Sequence, residues 1–256
     1  MNQKLSLSVG INDYPGSGMD LAGCVNDALG WQDLLQAEDY SGDILLDADA
    51  THEHTAQMLE LAMSKLRFGD RFVFTYSGHG SRVRDRNADE ADGMDECLVF
   101  HDWDKAGFLT DDELWRIFQA RAWGVRVMVI SDSCHSGTVA RFMGQTVPTW
   151  PMVGTPRYFP THLLEDRTVW QPPRPRSFRP DTLLFSGCED DEYSYDAYID
   201  GKPQGAFSHA ALSTYEPGIS MRRWHSKIRT VLPNLEEGFA QHPQMRATGW
   251  QKRWSL

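Results

Sequence analysis

Residues 70–80, DRFVFTYSGHG, and residues 125–137, VRVMVISDSCHSG, decide the reading of this chain. Each is a short apolar run rich in β-formers that breaks into a loop of small and polar residues. Runs that are apolar on both faces belong to strands buried on both sides. Thr182–Phe185 is a third such run, Lys4–Ile11 reads as the first strand, and Ile44–Leu46 as a brief second one. The intervals carry helical spacing. Leu21, Val25, Ala28, Trp31, Leu34 and Leu35 mark a helix over Asp20–Gln36. Thr51 caps a helix running to about Leu66, and Thr110 caps Asp111–Ala120. Gly205–Tyr215 and Ile219–Leu232 read as helices, and Cys97–Phe100 with Gly107–Leu109 as a small hairpin. Strands alternating with helices predict an α/β fold, a parallel sheet covered on both faces. Sites in such sheets lie beyond the carboxyl ends of the strands, where His79 and Cys134 both fall.

The chain has 256 residues, enough for a single domain with a full core, taken as 1–256. Eight of its 13 prolines lie between Pro148 and Pro180, so about 141–180 is expected to be an extended surface excursion rich in Pro and Arg. No stretch approaches the ~18–20 apolar residues of a membrane span. The opening MNQKLSLSVGIN runs straight into a strand without a leader pattern, so a cytoplasmic protein with no membrane partner is expected. A net charge of -11 argues against nucleic acid as a partner, since that affinity comes from Lys and Arg on phosphates. Cys24, Cys97, Cys134 and Cys188 form no CxxC pair, and free thiols are expected.

A thiol is a poor nucleophile until it loses its proton, and an imidazole can take that proton and return it to a leaving amine. Cys134 as nucleophile and His79 as base fit that division of labour. Gly78, Gly80 and Gly137 leave room for a substrate backbone. The backbone N–H groups of Gly80 and Cys134 are candidate donors to an oxyanion. His135 is disfavoured as the base because adjacent side chains at a strand end point apart. Cys97 lies in an apolar strand, and Cys188 has no histidine nearby in sequence. The competing reading of Cys134 is a buried core thiol.

Tyr76-Ser-Gly-His-Gly80 and Asp132-Ser-Cys-His-Ser-Gly137 together resemble the caspase-like peptidases of clan CD, family C14: the metacaspases and their bacterial relatives. Gly10-Ile-Asn-Asp-Tyr14, Leu21-Ala-Gly-Cys-Val-Asn-Asp27, Asp92-Gly-Met-Asp-Glu96, Thr110-Asp-Asp-Glu-Leu114 and Gln241-His-Pro-Gln244 extend the likeness over essentially the whole chain. The resemblance implies a caspase–haemoglobinase fold with a mostly parallel six-stranded sheet. It also implies a monomer, a Cys134–His79 dyad and hydrolysis after Arg or Lys. Asp27 and Asp132 match acidic residues of the family's S1 pocket, with Cys24 and Ser77 at its walls. Two carboxylates in a partly buried slot suit a guanidinium. Taken alone, Asp27 also reads as a helix N-terminal charge and Asp132 as a loop acceptor. A catalytically silent binding module, or a zymogen awaiting a partner, is the alternative function.

Eleven acidic residues lie between Arg82 and Glu113. Asp102, Asp104, Gly107 and Glu113 mimic EF-hand positions, but Ala106 at the fifth position and a preceding strand exclude that motif. The resemblance implies a calcium site using Asp95, Asp111 and Asp112, with Arg141 standing where a fourth ligand falls. Asp111 and Asp112 equally suit a helix N-terminus. Arg157, Arg167, Arg174, Arg176 and Arg179 populate the excursion. Arg167–Thr168 and Arg176–Ser177 are candidate self-cleavage bonds, and each arginine taken singly reads as a solvated charge.

Overall fold

The computed structural model describes residues 2–84, 93–105, 107–134, 154–164, 182–189 and 192–256. Its strands are β1 (Lys4–Gly10), β2 (Ser41–Leu46), β3 (Arg71–Ser77), β4 (Gly80–Arg84), β5 (Met94–Val99), β6 (Phe108–Thr110), β7 (Arg126–Asp132), β8 (Gly154–Pro156), β9 (Thr182–Ser186), β10 (Tyr195–Ile199), β11 (Lys202–Gly205) and β12 (Gln244–Arg246). The α-helices are α1 (Cys24–Ala37), α2 (His52–Lys65), α3 (Asp111–Gln119), α4 (Ala206–Thr214) and α5 (Met221–Val231). The central sheet runs β2-β1-β3-β7-β9-β12 and is parallel except for β12, which pairs antiparallel with β9. The expected six-stranded, mostly parallel sheet is therefore present.

Alternation along the buried strands splits the core in two. Phe72, Phe74, Tyr76, Val127 and Val129 face Leu59 and Met63 of α2 and Ile117 and Phe118 of α3. Val73, Met128, Ile130 and Phe185 face Trp31 of α1, Phe207 of α4 and Trp224 of α5. This two-sided burial explains why the runs lack a polar face.

Thr51 and Thr110 cap α2 and α3 as expected, accepting from His54 N and Glu113 N. Helix α1 starts at Cys24 rather than Asp20, because its first N–H groups are satisfied from a distance. Asn12 Oδ1 accepts from Cys24 N, and the Asp196 carboxylate accepts from Ala22 N and Gly23 N. The hairpin β5–β6 gains a third strand, β4, which continues directly from the His79 loop. Strands β8, β10 and β11 form a further small antiparallel sheet. Among the described residues, no helix is long and apolar enough to cross a membrane.

Candidate active site

Strands β3 and β7 are paired through to their ends, with Ser77 opposite Asp132. This register brings the loops carrying His79 and Cys134 side by side, 55 residues apart in sequence, and Gly78 N bonds Asp132 O across them. Both side chains are buried.

The tautomer of His79 follows from its contacts. Nε2 lies 2.7 Å from the Met19 carbonyl, an acceptor only, so Nε2 carries the proton. Nδ1 is then the basic nitrogen, and it makes no hydrogen bond among the described residues. Tyr14 packs on the ring and its hydroxyl accepts from His79 N–H. Burial depresses the imidazole pKa to about 4, against the opposing pull of the Met19 carbonyl and the nearby Arg157 backbone. The imidazole is therefore neutral at pH 7. No hydrogen bond joins it to Cys134. The thiol instead donates to Ser194 O and accepts from Ser194 N–H.

Arg157 corrects the expectation of a solvated surface excursion. Its side chain is 0% exposed, and its segment bonds the Gly80 and Cys134 backbone at the carboxyl ends of β3 and β7. Nη2 lies 2.6 Å from Asp27 Oδ2 and 2.8 Å from Asp196 Oδ1, and Nη1 lies 3.0 Å from Asp132 Oδ2. Proline bars helix in this segment but not burial, and three carboxylates offset the desolvation of one guanidinium. The carbonyl oxygen of the same residue accepts from Gly80 N–H at 3.0 Å and Cys134 N–H at 3.1 Å. These are the two donors singled out in the sequence, and they converge on one atom.

Three carboxylates around one cation leave excess negative charge, and fixed dipoles absorb it. Asp27 accepts from Gly205 N–H, and Asp132 accepts from the Ser208 N–H and hydroxyl and from the Ser194 hydroxyl. Asp196 takes the Ala22 and Gly23 N–H groups. Burial still pushes the Asp27 carboxyl up to about 7, with Arg157 opposing the rise. Gly205 closes one wall, where a Cβ would collide with Asp132 Oδ2 and the Arg157 guanidinium. Cys24 is buried at the start of α1, where burial raises its thiol well above the usual range and the Arg157 charge opposes. Ser77 is buried opposite Asp132, its hydroxyl unbonded among the described residues.

Asp196 and Ser194 escaped the sequence reading. Neither lies near the His79 or Cys134 loop in sequence; β10 carries Asp196, and Ser194 just before it, to the pocket by pairing with β8 and β11. The Ser-Tyr-Asp-Ala-Tyr alternation marks a strand and nothing more.

The acidic stretch behaves differently. Asp95 sits on β5, and Asp111 and Asp112 open α3. Asp111 and Asp95 both help raise the buried Cys97 thiol, behind burial itself. Among the described residues, no three His, Cys, Asp or Glu side chains are grouped as a metal would require. Arg141, His135, Gly137, Arg167, Arg174, Arg176 and Arg179 lie outside the described residues.

A sheet of this order, with His79 and Cys134 at the ends of adjacent parallel strands, defines a caspase-like α/β protein of the caspase–haemoglobinase fold. The fold is similar to that of a crystal structure of a protein from Geobacter sulfurreducens, with a TM-score of 0.73 and 28% identity, covering 95% of this chain and 92% of that one. The family description "Metacaspase, peptidase C14 domain" matches residues 4–142. Metacaspase-1 of Mycosarcoma maydis is 31% identical over 96% of this chain and 70% of its own length. Metacaspase-1 of Arabidopsis thaliana is 34% identical over 91% of this chain and 65% of its own. The chain belongs to the metacaspase family of C14 cysteine peptidases.

Proposed function

We propose that this chain is an endopeptidase that hydrolyses peptide bonds after Arg, and less readily Lys, through an acyl-enzyme on Cys134. The observation that carries this reading is Arg157. Its guanidinium meets Asp27, Asp132 and Asp196 while its carbonyl oxygen accepts from Gly80 and Cys134 N–H. A substrate arginine held alike has its carbonyl polarised by two fixed donors beside the nucleophile. Nδ1 of His79 takes the Cys134 proton, and the thiolate attacks the carbonyl carbon. The proton then passes to the departing amine, and water hydrolyses the thioester. Lysine carries the same charge but cannot span three carboxylates as a planar fork does.

The test is hydrolysis of fluorogenic peptides ending in Arg, Lys or Asp by wild type and Cys134→Ala. Turnover in the order Arg, Lys, Asp that vanishes with Cys134 supports the proposal. An Asp preference, or turnover that persists in Cys134→Ala, sinks it.

A further inference from the structure

We infer that Cys134 and Cys188 form a redox pair: a peroxide oxidises the nucleophile, Cys188 resolves it as a disulfide, and a dithiol reductant restores it. This rests on reading Cys134 as the nucleophile of a cysteine peptidase.

The central sheet brings the two thiols together. Strands β7 and β9 run parallel as far as Ser131 opposite Ser186, and Gly187 N–H extends the ladder to Ser131 O at 3.0 Å. Cys134 and Cys188 lie just beyond that pair, on the loops that leave adjacent strands. Neighbouring strands run about 4.8 Å apart, within the range of about 4.4–6.8 Å between Cα atoms that a disulfide spans. The Cys188 thiol donates to Ser133 O at 3.8 Å, one residue from the nucleophile, and is in hydrogen-bonding contact with the Cys134 thiol. The loop that carries it is pinned. Gln241 Nε2 donates to Gly187 O at 2.8 Å, and the Ser186 hydroxyl donates to Cys188 O at 3.3 Å. A Cβ at Gly187 would lie 2.6 Å from the Ser194 hydroxyl, so only glycine lets this turn pack so closely. Cys134, Cys188 and Tyr158 make a buried cluster of their own, with Tyr193 packed against it. All four cysteines are free thiols, and Cys24 and Cys97 belong to a different part of the core.

The two thiols divide the roles. Contact with the Cys134 thiol, and then burial, push the Cys188 thiol well above its ordinary range, so it stays protonated and inert toward peroxide. Cys134 has a neutral imidazole in His79 to take its proton, and Ser194 N–H, 2.6 Å from Sγ, steadies the thiolate. Burial of both sulfurs favours a peroxide, little larger than water, over a bulky disulfide as the oxidant.

The chemistry balances with hydrogen peroxide. The Cys134 thiolate attacks one peroxide oxygen and the O–O bond breaks. The hydroxide released takes the proton held at His79 Nδ1 and leaves as water. Cys134 is then a sulfenic acid. Cys188 Sγ attacks Cys134 Sγ, the S–O bond breaks, and the departing hydroxide takes the Cys188 proton as a second water. Two thiols have given up two electrons, and the peroxide has gained them. A sulfenic acid with no thiol in reach goes on to sulfinic and sulfonic acids, which dithiols do not reduce. Cys188 thereby keeps the nucleophile recoverable.

The full-length chain, reduced and then freed of reductant, is treated with hydrogen peroxide at neutral pH beside Cys188→Ser and Cys134→Ala. Free thiols are blocked with iodoacetamide and peptides are mapped by mass. Hydrolysis of an Arg-ending fluorogenic peptide is read before peroxide, after it, and after dithiothreitol. Wild type is expected to yield a linked Cys134–Cys188 peptide pair, absent from both variants. Its turnover should fall at least about tenfold with peroxide and return to within about twofold on dithiothreitol. Cys188→Ser is expected to start within about twofold of wild type and to recover less than about a tenth of its activity, with sulfinic acid on Cys134. Wild type in which Cys134 passes to sulfinic acid with no linked pair, or Cys188→Ser recovering as fully as wild type, overturns the redox pair and leaves the peptidase reading standing. Should Cys188→Ser fail to fold, the linked peptides and the recovery of wild type still decide. A linked pair in a protein that hydrolyses no Arg peptide even when reduced upholds the redox pair and overturns the Arg-directed reading.

Discussion

Two acidic regions of this molecule make opposite use of their charge. Asp27, Asp132 and Asp196 are scattered over 170 residues of sequence, yet they converge on one buried cation. The stretch from Arg82 to Glu113 holds eleven acidic residues, yet the described ones among them form no group able to hold a metal. Density along the chain is a poor guide to a site. Convergence is set by the parallel register of β3 and β7 and by the β10–β11 hairpin, which carries Asp196 to the mouth of α1. The dilute set is costly to bury and is satisfied by a full ring of donors. Of the dense set, Asp111, Asp112 and Glu113 lie in the first turn of α3, where negative charge suits the helix N-terminus.

The comparison is sharpest where chemistry is at stake. Cys134→Ala is expected to lower hydrolysis of an Arg peptide by at least about a thousandfold while leaving the fold intact by circular dichroism. A smaller loss would detach the pocket from catalysis. Asp132→Ala removes one carboxylate from a buried cluster and strands two serine donors as well as Arg157. It is expected to cost about 3–5 kcal/mol in urea denaturation, whereas Asp111→Ala should stay below about 1 kcal/mol. Equal costs would erase the difference between the regions.

His79 adds a pH signature on the pocket side. Its folded pKa is about 4, below the ordinary 6.5. Above pH 6.5 neither state binds the proton. Between 6.5 and 4 the unfolded chain binds it and the folded chain does not, so stability falls as pH falls, and the loss is complete below 4. Roughly 3 kcal/mol of acid sensitivity in that window is expected to vanish in His79→Gln, read from denaturation midpoints at several pH values. An unchanged slope would show that His79 is not desolvated.

On the other side, Thr110→Ala removes the cap of α3 and is expected to cost about 1 kcal/mol with Arg-peptide kinetics unchanged. The smallest effect belongs to calcium. Millimolar calcium is expected to shift stability by less than about 0.5 kcal/mol. A larger shift would mean that the dense set does converge on an ion.

The motif residues were legible because their chemistry demands particular types at strand ends. A thiol and an imidazole, each after a buried run and set among glycines, are readable from order alone. Asp27 and Asp132 were legible through resemblance to the family rather than through any local pattern. Asp196 and Ser194 carried no signal beyond strand alternation. Arg157 was misread in kind: proline-rich sequence around it suggested a solvated loop, and nothing local distinguishes it from Arg167 or Arg176.

By itself, the sequence determined the alternation of buried runs and helices, the parallel sheet, the caps at Thr51 and Thr110, and the placing of His79 and Cys134 at strand ends. These follow from periodicity and side-chain chemistry, which are local properties. Only the tertiary structure decided that β10 supplies a third carboxylate, that the Gly80 and Cys134 N–H groups share one acceptor, and that the arginine in the pocket is the chain's own. Those facts depend on which distant strands pair and in what register, and burial of a charge is chosen by the partners that meet it in space.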